Sequence, residues 1–228
     1  MNAGGMDAQS MGVAAEPCAL VVRRVGMFGG AFDPPHLAHR ELAEVALAQL
    51  GLDVLHILPT GQAWHKARPL SGAEHRLAMC ELVFGDLEKA CVDARETLRV
   101  GPSYTADTLI ELAKEYPGAE LFMVIGADQL LAFKSWVRWE EVMDLATLAV
   151  AQRPPQGPDA ALEQGLAADI SHVDVPFVPL NMPLHHISAT AIRARASAAN
   201  GHGPDLDRLV SNDVASYIST HSLYQDPT

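Results

Sequence analysis

Excess positive charge, paired cysteines and long apolar runs are all missing from this 228-residue chain. With 16 Lys and Arg against 28 Asp and Glu, the formal net charge is −12. That balance argues against a nucleic-acid binder, because a phosphate backbone selects a basic face. Cys18, Cys80 and Cys91 are odd in number and lack C-x-x-C spacing, so they fit reduced thiols in a cytoplasm, as core residues or bystanders. No apolar run reaches membrane-spanning length, and the first twenty residues lack the basic start and long apolar stretch of a signal peptide. The expectation is a cytoplasmic protein that engages neither nucleic acid nor membrane. Two nucleotide fingerprints are also missing. Gly26, Gly29 and Gly30 do not spell G-x-G-x-x-G, and no G-K-[ST] is present, which disfavours a dehydrogenase and a P-loop kinase.

What is present is a turn rich in anion-binding chemistry, Gly29-Gly30-Ala31-Phe32-Asp33-Pro34-Pro35-His36-Leu37-Ala38-His39. Arg24 to Phe28 reads as a short buried strand before it, and Leu37, Leu42, Val45, Ala46 and Leu50 recur at helical spacing after it, up to a terminating Gly51. Paired glycines permit close backbone approach, and Pro34-Pro35 forbid helix until His36. His36 and His39, three residues apart, then share one face of the first helical turn, where unpaired N–H groups and the helix dipole also point. Taken alone, H-x-x-H also fits a structural helix start, or half of a metal site. The metal reading needs further ligands that no nearby Cys pair or H-E-x-x-H supplies.

A second segment, Ile187-Ser188-Ala189-Thr190-Ala191-Ile192-Arg193, follows a Pro-rich stretch and opens another helix. Ser188 is expected to cap it, Thr190 to lie in its first turn, and Arg193 to present a planar guanidinium that can fork two phosphate oxygens. Each segment is a common helix start by itself; the pair is far more specific.

Between and around these segments, strand-like and helix-like stretches alternate. Val54 to Leu58 reads as a strand, Ser71-x-x-Glu74 as a capping box opening a helix, and Cys91-Val92 as a weaker strand. A helix from Ser103 or Thr105, an apolar strand over Leu121 to Ile125, a helix from Trp139 to Leu145 and a strand over Leu148 to Ala151 follow. This rhythm predicts an α/β, Rossmann-like doubly wound, mostly parallel sheet with helices on both faces, in one domain over 23–225. Residues 1–22, rich in Gly, Ala, Met and Ser, are expected to form a flexible extension. The Pro and Gly run from Arg153 to Pro158 reads as a surface loop. In such a sheet the ends of Gly29-Gly30, Pro59-Thr60, Gly126-Ala127-Asp128 and Arg153 would line one crevice.

The two phosphate segments resemble the signatures of a nucleotidyltransferase superfamily, a G-x-F-D-P-x-H-x-G-H turn with a distant I-S-S-T-x-I-R. More closely, the chain resembles the bacterial nicotinate-nucleotide adenylyltransferases. Trp64-His65-Lys66, Pro102 to Thr108, Ile125-Gly126-Ala127-Asp128, Trp136, Arg153-Pro154, Tyr217-Ile218 and His221-Ser222-Leu223-Tyr224 match in family order over about residues 24–224. Ala38, Ala189, Ala63-Trp64 and Val137 depart from the usual pattern without removing a charged group.

The resemblance implies adenylyl transfer from ATP to nicotinate mononucleotide, with His36, His39 and Arg193 as catalytic residues. It implies ATP contacts from Gly29, Gly30, Phe32, Asp33, His36, His39, Gly126, Asp128, Arg153, Ser188, Thr190 and Arg193. It implies contacts to the mononucleotide from Lys66, Tyr104, Thr105 and Trp136. The sequence offers no carboxylate cage, so Mg2+ is expected to travel mainly on the ATP phosphates and water. Homo-oligomerisation stays open. So do a sister activity on nicotinamide mononucleotide or phosphopantetheine, and a non-catalytic nucleotide sensor.

Overall fold

The computed structural model describes residues 22–61, 70–152, 170, 172–183, 187–198 and 206–225. Residues 1–21 of the expected 1–22 extension, the segment with Trp64, His65 and Lys66, and the loop from Arg153 to Pro158 lie outside the described residues.

Six strands form one sheet: β1 (Arg24–Gly30), β2 (Val54–Pro59), β3 (Ala90–Val92), β4 (Glu120–Ile125), β5 (Thr147–Gln152) and β6 (Val178–Asn181). Their order is β3-β2-β1-β4-β5-β6, and every one of the five pairings is parallel. Among the described residues the sheet is parallel throughout, in line with the mostly parallel sheet that the sequence predicts. Parallel strands need crossovers, and eight described helices supply cover: α1 (Leu37–Gln49), α2 (Ala73–Phe84), α3 (Arg95–Leu98), α4 (Thr105–Glu115), α5 (Ala127–Ala132), α6 (Trp139–Leu145), α7 (Ala189–Ala198) and α8 (Asn212–Thr220).

Strand alternation sorts the core into two layers. Phe28, Leu55, Ile57, Phe122 and Val124 face one side, where Leu42 and Ala46 of α1, Met79 and Phe84 of α2, Ile192 of α7 and Ile218 of α8 pack on them. Val25, Met27, Leu58, Met123, Ile125 and Val150 face the other side, under Leu109 and Leu112 of α4, Leu130 of α5 and Val142 of α6. Each fully buried Leu, Ile or Phe contributes roughly 1.5–3 kcal/mol relative to exposure. Both faces are covered, which is why the central strands read as continuous apolar runs rather than alternating ones.

Helix α1 ends as its sequence predicts, with Leu50 at the C-cap and Gly51 at φ 59°, the left-handed conformation that glycine takes without penalty. The predicted capping box at Ser71 and Glu74 does not form. Gly72 is the N-cap of α2. Ser71 is drawn elsewhere, its N–H to Asp33 Oδ2 at 3.4 Å and its carbonyl to Arg76 Nε at 3.0 Å. Similarly Tyr104, not Ser103, precedes α4, because the Ser103 hydroxyl donates to the Glu96 carbonyl at 3.3 Å. Thr105 is the first helical residue, as expected.

One buried polar cluster lies in the β2–β3 edge. His56, 4% exposed, sets Nδ1 2.8 Å from Asp93 Oδ2 and Nε2 3.0 Å from the Tyr116 hydroxyl, with Cys91 Sγ 3.5 Å from Nδ1. Burial alone would lower the imidazole pKa, but the Asp93 and Cys91 partners outweigh it and raise it from 6.5 to about 9. The folded state thus holds this proton more tightly than the unfolded chain. Its stabilisation is complete below pH 6.5 and is lost as pH rises through 9. Urea unfolding between pH 6.5 and 9.5 is expected to show a loss of about 1–3 kcal/mol from this group, and His56→Gln is expected to flatten that slope.

Candidate active site

The strand order reverses at β1, which has β2 on one side and β4 on the other. Outside the carboxyl ends of such neighbours lies the crevice where doubly wound sheets bind ligands. Gly30 closes β1 opposite Pro59, and Thr60 clamps it there, its N–H and hydroxyl donating to the Gly30 carbonyl at 2.8 and 3.1 Å. A Cβ on Gly30 would meet the Phe32 ring at 3.0 Å, so the glycine lets the turn fold back on the strand. Phe32 takes φ 44° and inserts its ring against Phe28, Phe84 and His39. The Asp33–Pro34 bond is cis.

His36 is the N-cap of α1 and His39 its third residue, and each side chain faces the other's backbone in a reciprocal box. The two imidazoles stack with centroids 3.6 Å apart and planes 16° from parallel. The His36 N–H donates to His39 Nδ1 at 3.2 Å. That contact makes Nδ1 an acceptor, so in the neutral ring the proton sits on Nε2. Burial, and then the neighbouring His36, push the His39 pKa well below 6.5, keeping it neutral near pH 7. His39 thereby presents a neutral N–H donor at a helix N-terminus, suited to an anionic oxygen.

The late segment meets this turn directly. The Ser188 hydroxyl accepts from the Ala191 N–H at 3.2 Å and so caps α7 as its sequence predicts. Arg193, one turn on, donates from Nη1 to the Asp33 carbonyl at 2.8 Å and from Nη2 to the Thr190 hydroxyl at 3.0 Å. Residues 160 positions apart in sequence are joined by one guanidinium.

Sequence reasoning missed the groups that hold the turn from behind. Arg76, 2% exposed, donates to the carbonyls of Ala31 at 3.1 Å and Ser71 at 3.0 Å. Asp33, 1% exposed, accepts from the Tyr224 hydroxyl at 2.8 Å. A signal for Arg76 was available: it stands in register with Met79, Cys80 and Val83 on the apolar stripe of α2, an arginine where burial is due.

Gly126 caps α5 just past β4, and Asp128 sits exposed in the first turn of that helix. Tyr104 and Thr105 stand at the start of α4, which covers the opposite sheet face from α1. Arg138 pairs with Asp107 of α4, tying the Trp136 loop to that helix start. Trp136 itself is partly buried, its ring 5.5 Å from that of Phe133. These residues and the histidine turn flank the carboxyl edge from its two faces. Lys66 and Arg153 lie outside the described residues. Among the described residues no group of three or more His, Cys, Asp or Glu side chains is placed to hold a metal ion, and no helix is long and apolar enough to cross a membrane.

Comparison with known proteins agrees with this geometry. Residues 27–195 match the model of the family described as Cytidylyltransferase-like. A protein of Albidiferax ferrireducens, named "Probable nicotinate-nucleotide adenylyltransferase", is 47% identical over 90% of this chain and 99% of its own. A protein of the same name from Methylibium petroleiphilum is 39% identical over 90% and 94%. The solved structure of Plasmodium falciparum nicotinic acid mononucleotide adenylyltransferase complexed with NaAD superposes with a TM-score of 0.66 at 17% identity, covering 89% of this chain and 97% of that one, and so shares the fold. By sequence, fold and the meeting of its two sequence motifs, this chain belongs to the nicotinate-nucleotide adenylyltransferase family within the cytidylyltransferase-like proteins.

Proposed function

We propose that this protein transfers the adenylyl group of ATP to nicotinate mononucleotide, releasing pyrophosphate and forming nicotinate adenine dinucleotide in NAD biosynthesis. The observation that carries the reading is the Arg193–Asp33 contact, which puts a guanidinium beside the turn that ends in the stacked imidazoles. The names of the bacterial relatives, at up to 47% identity, support the same chemistry. In this reaction a phosphate oxygen of the mononucleotide attacks the α-phosphorus in line. The new P–O bond forms as the bond to the pyrophosphate oxygen breaks, and no protein nucleophile is required.

The protein's work is then alignment and charge neutralisation. His39, neutral and donating from Nε2, is assigned to the α-phosphate, where negative charge builds. His36 is assigned to the neighbouring phosphate oxygens. Ser188, Thr190 and Arg193 are assigned to the β- and γ-phosphates, with the N-terminus of α7 adding its dipole. Gly29 and Gly30 let the backbone approach the nucleotide closely, whereas Phe32 and Asp33, expected from the sequence to contact ATP, are 2% and 1% exposed and so are assigned to fixing the turn. Gly126, Asp128 and Arg153 are assigned to the adenosine side, and Lys66, Tyr104, Thr105 and Trp136 to the mononucleotide. Mg2+ is taken to arrive with ATP, where it offsets charge on the leaving pyrophosphate. We place this activity in the cytoplasm, and leave it compatible with a homo-oligomer.

A pyrophosphate-release assay with ATP and each of nicotinate mononucleotide, nicotinamide mononucleotide and phosphopantetheine tests the reading. Turnover is expected with the first, and preference for either of the others would reassign the acceptor. ATP binding with no turnover on any acceptor would mark a sensor instead. His39→Ala is expected to lower kcat by about 10²–10³ in a protein that still folds, as loss of one preorganised donor does. Arg193→Ala is expected to raise the KM for ATP more than that for the mononucleotide; equal losses would refute its assignment to the triphosphate.

A further inference from the structure

The phosphate turn is held by a part of the chain that touches no substrate in the proposed chemistry. Asp33 has its carboxyl almost wholly removed from water. A buried carboxylate needs donors, since leaving one unsatisfied costs more than the hydrogen bond itself. One donor is the hydroxyl of Tyr224, 191 residues away in sequence. Burial, with the Asp33 charge beside it, drives the phenol pKa upward, so the hydroxyl stays protonated and donates.

Two further features fit a purposeful contact. Ser222 and Tyr224 take φ 50° and 63°, and Phe32 beside Asp33 takes φ 44°. A side chain adopts this left-handed region at a cost, so Tyr224 and the residue before Asp33 sit in backbone that their surroundings must impose. The neighbouring helix α8 is docked separately: the Tyr217 hydroxyl hydrogen-bonds His75 Nδ1 at 3.0 Å, and the His221 ring packs on Tyr217 with centroids 4.1 Å apart. His75 precedes Arg76, whose guanidinium holds the carbonyls at both sides of the site turn. The same Asp33 residue that receives Tyr224 on its carboxylate receives Arg193 on its carbonyl.

We infer that Tyr224 is a positioning residue for the triphosphate: by fixing the Asp33 carboxylate it sets where the Asp33 carbonyl holds Arg193, and so where the guanidinium meets the β- and γ-phosphates. The inference rests on the adenylyl-transfer reading and adds to it a control exerted from residues 221–224. Removing the hydroxyl leaves the aromatic packing in place. It loosens the anchor of Arg193 without touching either substrate.

Tyr224→Phe is compared with Tyr217→Phe, which deletes a similar hydroxyl from the same C-terminal segment but one bonded to His75 and not to Asp33. Steady-state kinetics on both substrates, melting temperature and calorimetric ATP titration are measured for each full-length variant. Expected for Tyr224→Phe is a loss of about tenfold or more in kcat/KM for ATP and a matching weakening of ATP binding, with the KM for nicotinate mononucleotide within about twofold. Tyr217→Phe is expected to change melting temperature comparably and to leave ATP kinetics as in the wild type. Wild-type ATP kinetics in Tyr224→Phe, equal losses for both substrates, or equal ATP losses in the two variants would overturn the inference. Wild-type protein that turns over no acceptor overturns the adenylyl-transfer reading. The ATP titrations then still decide the positioning role, because weaker binding in Tyr224→Phe alone supports it and unchanged binding refutes it.

Discussion

Burying the carboxylate of Asp33 is the constraint on which the site depends. An ion removed from water is tolerated only where donors surround it, and the penalty for getting this wrong is several kcal/mol. The Ser71 N–H and the Tyr224 hydroxyl reach this carboxylate from 38 and 191 positions further along the sequence, and the Arg76 guanidinium lies close enough for its charge to be felt. With its carboxylate so held, the Asp33 carbonyl is aimed at Arg193. The turn is therefore not a free loop between a strand and a helix. It is the point where α2, α7 and the segment after α8 are obliged to agree.

The second determinant is how, on the proposed function, a protein of net charge −12 would receive a polyanion. It would do so by local arrangement rather than overall field. Arg193, held beside the turn by the Asp33 carbonyl, supplies a cation that does not titrate in the physiological range. His39 is different in kind. Its ring is kept neutral by burial and by stacking on His36, and its Nδ1 is occupied by a backbone N–H. In the proposed reaction, a neutral donor in a fixed direction would favour charge that appears only as the new bond forms, which a mobile surface cation would not.

Much of this was legible in the sequence. Apolar runs over Val54 to Leu58 and Leu121 to Ile125 identified strands buried on both faces, and the doubled proline before His36 located the start of α1. The two phosphate segments could be paired because each carries side chains that bind anions. What stayed hidden were groups whose role is tertiary. Strand β6, only four residues with Pro179 within it, has no periodic signal, and its pairing with β5 is an edge contact. Ser71 looked like a helix cap because Glu74 follows at the right spacing, and only the fold reveals that Asp33 competes for its N–H. The phenol of Tyr224 could be matched to a family pattern, but nothing local to residue 224 says that its partner is residue 33.

The same long-range contact bears on how the protein comes into being at the ribosome. A nascent chain can lay down β1 to β5 and bury most of both core layers while residues 206–225 are still inside the exit tunnel. At that stage the Asp33 carboxyl lacks the phenol of Tyr224 and the backbone of Leu37 lacks the Leu209 carbonyl that later accepts its N–H at 3.0 Å. On the proposed function, the nucleotide site therefore gains these two supports only after the strands beneath it have been made.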